Sequence, residues 1–181
     1  DLAQTLSLIA QFGKDGFYKG QVADKIVAQM EQYGGLISHV DLAQYEAKWR
    51  APISGNYKNY GFHSMPPPSS GGIALYQLLS MAEKYPLGKY GFHSPRAVHV
   101  MAELERRVYA DRTKWLGDSD FFDVPINELL DADYLKQRSS EVKLEKASPS
   151  ESIQALVQNK ESEETTHYSV VDQWGNAVSA T

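Results

Sequence analysis

Cysteine is absent from this chain of 181 residues. That excludes a disulfide framework, a thiol nucleophile and a zinc–thiolate centre, and leaves the compartment open. Positive charge is scarce as well: 18 Lys and Arg against 23 Asp and Glu give a net charge of −5. Such a balance argues against a nucleic-acid partner, whose phosphates call for a basic face. No apolar run approaches the roughly 20 residues of a membrane span. No signal-peptide pattern is visible at Asp1-Leu2-Ala3, which reads as the interior of a helical pattern. What is present is the makings of a core: 42% hydrophobic and 11% aromatic residues, at a length suited to one domain.

Periodicity predicts helices first and a hairpin last. Leu2, Leu6 and Ile9 share a helical face that Gly13 ends. Gly16–Gly20 reads as a tight connection. Val22, Ile26, Met30 and Tyr33 mark a second helix, closed by Gly34-Gly35. A short helix is expected over 41–45 with Asp41 as N-cap. Strands are expected over 53–57 and 60–64, turning at Lys58-Asn59. After Pro66-Pro67-Pro68, Ser69 or Ser70 caps a helix that buries Leu75, Leu78, Leu79 and Ala82. A long helix over 95–116 starts near Pro95 and carries Val98, Met101, Leu104, Val108 and Trp115 on its apolar stripe. A shorter, mixed element spans 125–139. Between residues 145 and 164, Ser, Pro, Glu, Lys and Gln displace large apolar residues, which predicts a mobile connector. Strands over 165–172 and 177–181 flank a turn at 173–176. The predicted class is α+β.

The chemistry concentrates at Thr165-Thr166-His167-Tyr168-Ser169-Val170-Val171-Asp172. If the bond between Glu164 and Thr165 is cut, one residue carries both a hydroxyl and a free α-amine. That amine, with a reference pKa of roughly 7.7–8.0, can take the proton of its own hydroxyl. No other place in the sequence offers a nucleophile with a base attached. The plainer reading of Thr165 is a β-favouring residue at the head of a strand. Alternation places Thr165 and His167 on one face and Thr166 on the other; with an amine available as base, His167 reads as structural support. Ser69-Ser70-Gly71-Gly72 reads as a capped helix start or as an anion nest, without the lysine and spacing of a phosphate-binding loop. Asp111 and Arg112, set where the apolar stripe should continue, read as a structural ion pair. His99 and Glu103, at i and i+4, make a poor metal site. Asp118, Asp120, Asp131 and Asp133 read as turn and cap residues, with no calcium-loop pattern around them. No metal site and no cofactor are predicted.

Residues Thr165 to Asp172, followed by Gly175-Asn176-Ala177-Val178-Ser179, resemble the start of the small subunit of the γ-glutamyltranspeptidases. Three stretches resemble the large subunit of the same family. They are Gly16-Phe17-Tyr18-Lys19-Gly20, Pro66-Pro67-Pro68-Ser69-Ser70-Gly71-Gly72, and Tyr109-Ala110-Asp111-Arg112 with Leu116-Gly117-Asp118. Their order matches the family order, and together they cover nearly the whole chain. The proline–serine–glycine run and the Thr-Thr-His start are the specific ones.

The resemblance implies the N-terminal-nucleophile hydrolase fold, two stacked antiparallel sheets between helical layers, of which this chain supplies outer helices and first strands. It implies that residues 1–147 belong to the large subunit, that 148–164 lead to an autocatalytic cleavage site at Glu164–Thr165, and that 165–181 begin the small subunit. It further implies glutathione or other γ-glutamyl compounds as donors, amino acids, dipeptides or water as acceptors, no cofactor, and a periplasmic or extracellular home. The family's remaining site residues are expected in the remainder of its polypeptide, outside residues 1–181. The chain alone is therefore expected to be inactive and to self-associate through the hairpin's unpaired edge. Two other readings stay open: another N-terminal-nucleophile amidase resembling the cephalosporin acylases, and a non-catalytic helical interaction module.

Overall fold

The Ser38 hydroxyl and the Asp41 carboxylate cap one helix reciprocally. Asp41 N–H donates to Ser38 Oγ at 3.3 Å, and Ser38 N–H donates back to Asp41 Oδ2 at 2.8 Å. This capping box starts α4 at His39–Gln44, so Ser38 is the N-cap and Asp41 the third helical residue, a correction to the sequence expectation. In this computed structural model, residues 1–155, 168–171, 173 and 177–180 are described, and they fall into two units divided between Trp49 and Arg50.

The first unit holds α1 (Leu2–Phe12), α2 (Asp15–Tyr18), α3 (Gly20–Tyr33) and α4. Its core is small: Ala23, Val27 and Leu42, with Tyr18 and Ile26 packed against it. Val22, Ile26 and Met30 are half-buried on α3, while Tyr33 is exposed. Gly16 is a contact glycine, because a Cβ there would lie 2.2 Å from the Leu8 carbonyl oxygen of α1.

The second unit opens with the antiparallel hairpin β1 (Ile53–Tyr57) and β2 (Tyr60–Ser64), in register from Ile53↔Ser64 to Tyr57↔Tyr60. Both strands and the Lys58-Asn59 turn lie where alternation places them. Next come α5 (Gly71–Ala82), α6 (Leu87–Tyr90), α7 (Pro95–Trp115), α8 (Ile126–Leu129) and α9 (Ala132–Ser140). The helix α7 begins as expected, with Ser94 Oγ accepting from Ala97 N–H at 3.1 Å and Pro95 in the first turn. A 3₁₀ turn at Ser150–Ser152 precedes the antiparallel pair β3 (Tyr168–Val171) and β4 (Ala177–Ala180).

Helix α5 sits at the centre of the unit. Met81 and Ala82 join Val100, Leu104, Val108, Leu135 and Val142 in one cluster. Ile73 joins Ile53, Trp115, Val124 and Leu129 in another. The face that α5 buries is therefore Gly72, Ile73, Gln77, Met81 and Ala82, and Leu75 is turned toward solvent. Ala82 is buried as expected and Leu78 packs against the first cluster, but the expectation fails at Leu75 because this helix is apolar nearly all round, so periodicity could not choose; contact with β1 chooses. On helix α7, Leu104, Val108 and Trp115 are buried as expected, and the expectation fails at Val98. The helix buries Val100, Glu103, Leu104, Arg107, Val108, Asp111 and Trp115, and leaves Val98 53% exposed.

The glycine pair opening α5 does two different things. A Cβ on Gly72 would lie 2.1 Å from the Met65 carbonyl oxygen, whereas one on Gly71 would meet only Ser69 Oγ at 3.4 Å. Gly72→Ala is expected to lower stability by about 1–3 kcal/mol, the usual cost of overpacking, with Gly71→Ala close to neutral. Urea midpoints of the two variants check this; equal midpoints would remove the close-approach role of Gly72.

Candidate functional site

Glu164 and Thr165, and with them Thr166 and His167, lie outside the described residues. What is described is the framework on either side: the β3–β4 pair after them and the anchored segment 148–154 before them. The proline–serine–glycine stretch and the stretch from Tyr109 to Asp118 also meet, within the second unit.

The anchor is built on α7. Helical spacing puts Glu103, Arg106 and Arg107 on adjacent turns, and Glu103 collects four donors. Arg106 donates to its Oε1 at 2.6 Å and Arg107 to its Oε2 at 2.9 Å. Ser148 gives its hydroxyl at 2.6 Å and its backbone N–H at 3.2 Å. Burial works against the charge on Glu103, but the hydrogen bonds from Ser148, Arg107 and Arg106 outweigh it and hold the carboxyl down at about 2. Arg106 continues outward, donating to the Ser148 carbonyl at 2.9 Å and to Ser150 Oγ at 3.0 Å. Arg107 donates a further bond to Ser148 Oγ at 3.2 Å.

One turn along, Asp111 forms a second buried centre. Tyr134 Oη donates to it at 2.7 Å, Arg138 at 3.2 Å and Gln77 at 3.3 Å. Burial still pushes the Asp111 carboxyl above its usual range, against the pull of Arg138. Arg138 also reaches backbone, donating to the Arg107 carbonyl at 2.8 Å and to the Gln154 carbonyl at 2.9 Å. The ion pair expected between Asp111 and Arg112 is thus corrected: the partner of Asp111 is Arg138, from α9. Arg112 instead donates from Nε to Ser70 Oγ at 3.0 Å.

That last bond joins the proline–serine–glycine stretch to the Arg112–Asp118 stretch. Around it lies a cavity of about 260 Å³, lined by Pro68, Ser70, Arg112, Thr113, Leu116 and Asp118 among others. Of the amides that a nest would need, Gly71 N–H is taken by Ser69 Oγ at 3.2 Å and Gly72 N–H by the Met65 carbonyl at 3.1 Å. The close-packed helix start is therefore the reading that fits. Asp118 accepts from Asp120 N–H at 2.9 Å, and Asp131 caps α9 through Tyr134 N–H at 2.8 Å, turn and cap roles as expected. His99 is bonded to the Lys143 carbonyl at 2.8 Å. Among the described residues no group of three side chains could hold a metal ion.

Sequence reasoning missed Arg50, which forks onto Asp120 at 2.9 and 2.7 Å. It also missed Ser54 Oγ against His63 Nδ1 at 2.8 Å, a cross-strand pair on β1 and β2. The register of two predicted strands could have found the second. Both of its side chains are exposed, and among the described residues no carboxylate orients the ring, so it lacks the third member of a catalytic triad.

The family model described as Gamma-glutamyltranspeptidase matches residues 1–181. The chain belongs to the γ-glutamyltranspeptidase family. It is 48% identical over 182 residues to the glutathione hydrolase proenzyme of Escherichia coli (strain K12), a match that covers all of this chain and 31% of that protein. The crystal structure of Helicobacter pylori γ-glutamyltranspeptidase superposes with a TM-score of 0.78 at 40% identity, over 91% of this chain and 47% of that one. A cephalosporin acylase from Bacillus halodurans superposes with a TM-score of 0.66 at 28% identity, over 78% of this chain and 26% of that one. The fold is accordingly α+β, a helix-rich portion of the N-terminal-nucleophile hydrolase architecture. The chain spans about a third of the length of the curated relatives it matches. Among the described residues no helix is long and apolar enough to cross a membrane.

The Glu103 anchor makes a prediction about acid. Its carboxyl titrates at about 2 when folded, against an ordinary value of 4.5. Between these pH values the unfolded chain binds more protons, so the stabilisation is full above pH 4.5 and is lost as pH falls through 2. Glu103→Gln is expected to be less stable at pH 7, because it leaves Arg107 without its buried counter-charge. It should also show a shallower fall in melting temperature over that acid window. Parallel slopes for the two proteins would contradict the assignment.

Proposed function

We propose that a polypeptide carrying this chain is a self-cleaving γ-glutamyltransferase and glutathione hydrolase, with Thr165 as its nucleophile. The observation that carries the reading is the family match across all 181 residues, which includes the Thr165-Thr166-His167 start. The names of the relatives, glutathione hydrolase proenzymes, agree with both the donor and the processing.

The chemistry has two stages. In the uncut chain the Thr165 hydroxyl attacks the Glu164 carbonyl carbon. The peptide C–N bond breaks as the new ester C–O bond forms, and the Thr165 nitrogen takes up the proton. Water then hydrolyses that ester, leaving a carboxylate on Glu164 and a free amine and hydroxyl on Thr165. In the cut protein the amine takes the hydroxyl proton as the oxygen attacks the γ-carbonyl of a donor such as glutathione. The donor's amine leaves with a proton, and a γ-glutamyl ester stays on Thr165. Attack by water releases glutamate; attack by the amine of an amino acid or dipeptide forms a new γ-glutamyl amide. No step of this scheme calls for a metal or cofactor.

On this reading residues 1–147 are large subunit, 148–164 lead to the cut, and 165–181 open the small subunit. A periplasmic or extracellular location accompanies the reading. The likeness to a cephalosporin acylase keeps a second donor class in view; turnover of γ-glutamyl anilides against other acyl amides separates the two.

In a polypeptide of the relatives' full length, Thr165→Ala is expected to leave a single uncut chain without γ-glutamyl transfer. N-terminal sequencing of the unsubstituted protein should begin one product at Thr165. A fully active, uncut protein would overturn the scheme. The pH profile of kcat/KM should carry an ionisation in the range of a perturbed α-amine, roughly 7–9. A profile flat over that range, with chemistry rate-limiting, would rule out the amine as base.

A further inference from the structure

The Glu103 anchor has no part in the scheme above, yet it is elaborate for a structural contact. Helices α7 and α9 already share an apolar cluster through Val100, Leu104, Val108 and Leu135. Arg106 adds nothing to that cluster: its hydrogen bonds go to Glu103, the Ser148 carbonyl and Ser150 Oγ. Ser148 is held by all three of its polar atoms, N, O and Oγ. Six residues on, the Gln154 carbonyl is held by Arg138, which is 1% exposed.

We propose that Glu103, Arg106 and Arg107 of α7, with Arg138 of α9, are a docking site for the chain's own segment 148–154, and that this docking outlives cleavage at Glu164–Thr165. The claim about cleavage rests on the proposed function; the docking itself does not. Undocking would strip two of the four donors from a buried carboxylate, since Ser148 supplies both its hydroxyl and its amide. A buried charge that loses its hydrogen-bond partners is costly. None of these bonds involves Glu164 or Thr165, so cutting that bond removes none of them. The chain between the Gln154 anchor and the cut is then 155–164. Those ten residues span at most about 33–36 Å from the Gln154 anchor.

The docking site fits a segment with a hydroxyl at its first position, a second hydroxyl two residues on, and a backbone carbonyl six residues on. Lys146, two residues before Ser148, is exposed and gives a protease a handle there. Cutting after it requires the neighbouring chain to open locally, so the rate reports the undocked population.

The experiment uses the full-length polypeptide in three forms: self-cleaved wild type, uncut Thr165→Ala, and the self-cleaved double variant Arg106→Ala/Ser148→Ala. Trypsin digestion is followed by mass spectrometry at the Lys146–Ala147 bond. Equal, slow cutting in the first two forms is the expected result, with the double variant cut about tenfold faster or more. Ser148→Thr keeps the hydroxyl and should protect as the wild type does. Should the double variant fail to fold, Ser148→Ala alone serves, read alongside its melting temperature. Cutting tenfold faster in cleaved wild type than in Thr165→Ala would show that cleavage releases the segment and overturn the proposal. Equal cutting of wild type and the folded variants would remove these residues as the docking site. A wild type that never cleaves at Glu164–Thr165 would sink the proposed function and the claim of persistence with it, while slow cutting in that uncut chain would leave the docking standing.

Discussion

The buried carboxylate of Glu103 is the constraint around which the second unit is arranged. A charged group in a packed interior is tolerated only where partners surround it, and Glu103 obtains four, two from its own helix and two from Ser148. The helical partners come free with the spacing of i+3 and i+4. Ser148 lies 45 residues away and must be carried back to α7 by the path of the chain. That path runs through α8 and α9, so the requirement of one carboxylate helps to fix the course of the segment after α7.

Asp111 and Arg138 repeat the device about two turns further along, with a different balance. Asp111 receives Tyr134, Gln77 and Arg138, yet burial keeps its carboxyl above the usual range. Glu103 ends below its usual range because its donors include two guanidinium groups and a serine that gives two bonds. The contrast shows that the number and charge of donors, and not burial alone, set the direction. It also explains why α7 can face inward with Glu103, Arg107 and Asp111 among its buried residues.

Much of the local structure was legible in the sequence because it depends on local chemistry. The hairpin Ile53–Tyr57 and Tyr60–Ser64, the Ser94-Pro95 helix start and the Gly13 stop follow from propensities within a few residues. The capping box at Ser38 was legible in principle, and was misread by giving Asp41 the first role and not the third. The inward faces of α5 and α7 were legible only in part, at Ala82 on the first and at Leu104, Val108 and Trp115 on the second. On α5 too many apolar residues compete. On α7 the rule that charge faces water points away from Glu103, Arg107 and Asp111. Partners distant in sequence, Ser148, Tyr134, Arg138 and Gln77, 23 to 45 residues away, reverse that rule. The residues of the resemblance stretches were visible as words before their contacts were, as with Ser70 and Arg112, whose hydrogen bond joins two such words.

The way segment 148–154 is held also bears on how a chain can be cut near it. An apolar dock would need large side chains in the segment, and between Ser148 and Gln154 the only one is Ile153. The dock uses instead the backbone and small hydroxyls, groups that nearly any sequence can offer, matched to arginines and a glutamate rigidly placed on two helices. Such an arrangement puts the specificity into α7 and α9 and leaves the segment free of hydrophobic bulk. If the bond between Glu164 and Thr165 is cut as proposed, that hold stays whole, because the hydrogen bonds that fix residues 148–154 are made to α7 and α9 and not to the residues at the cut.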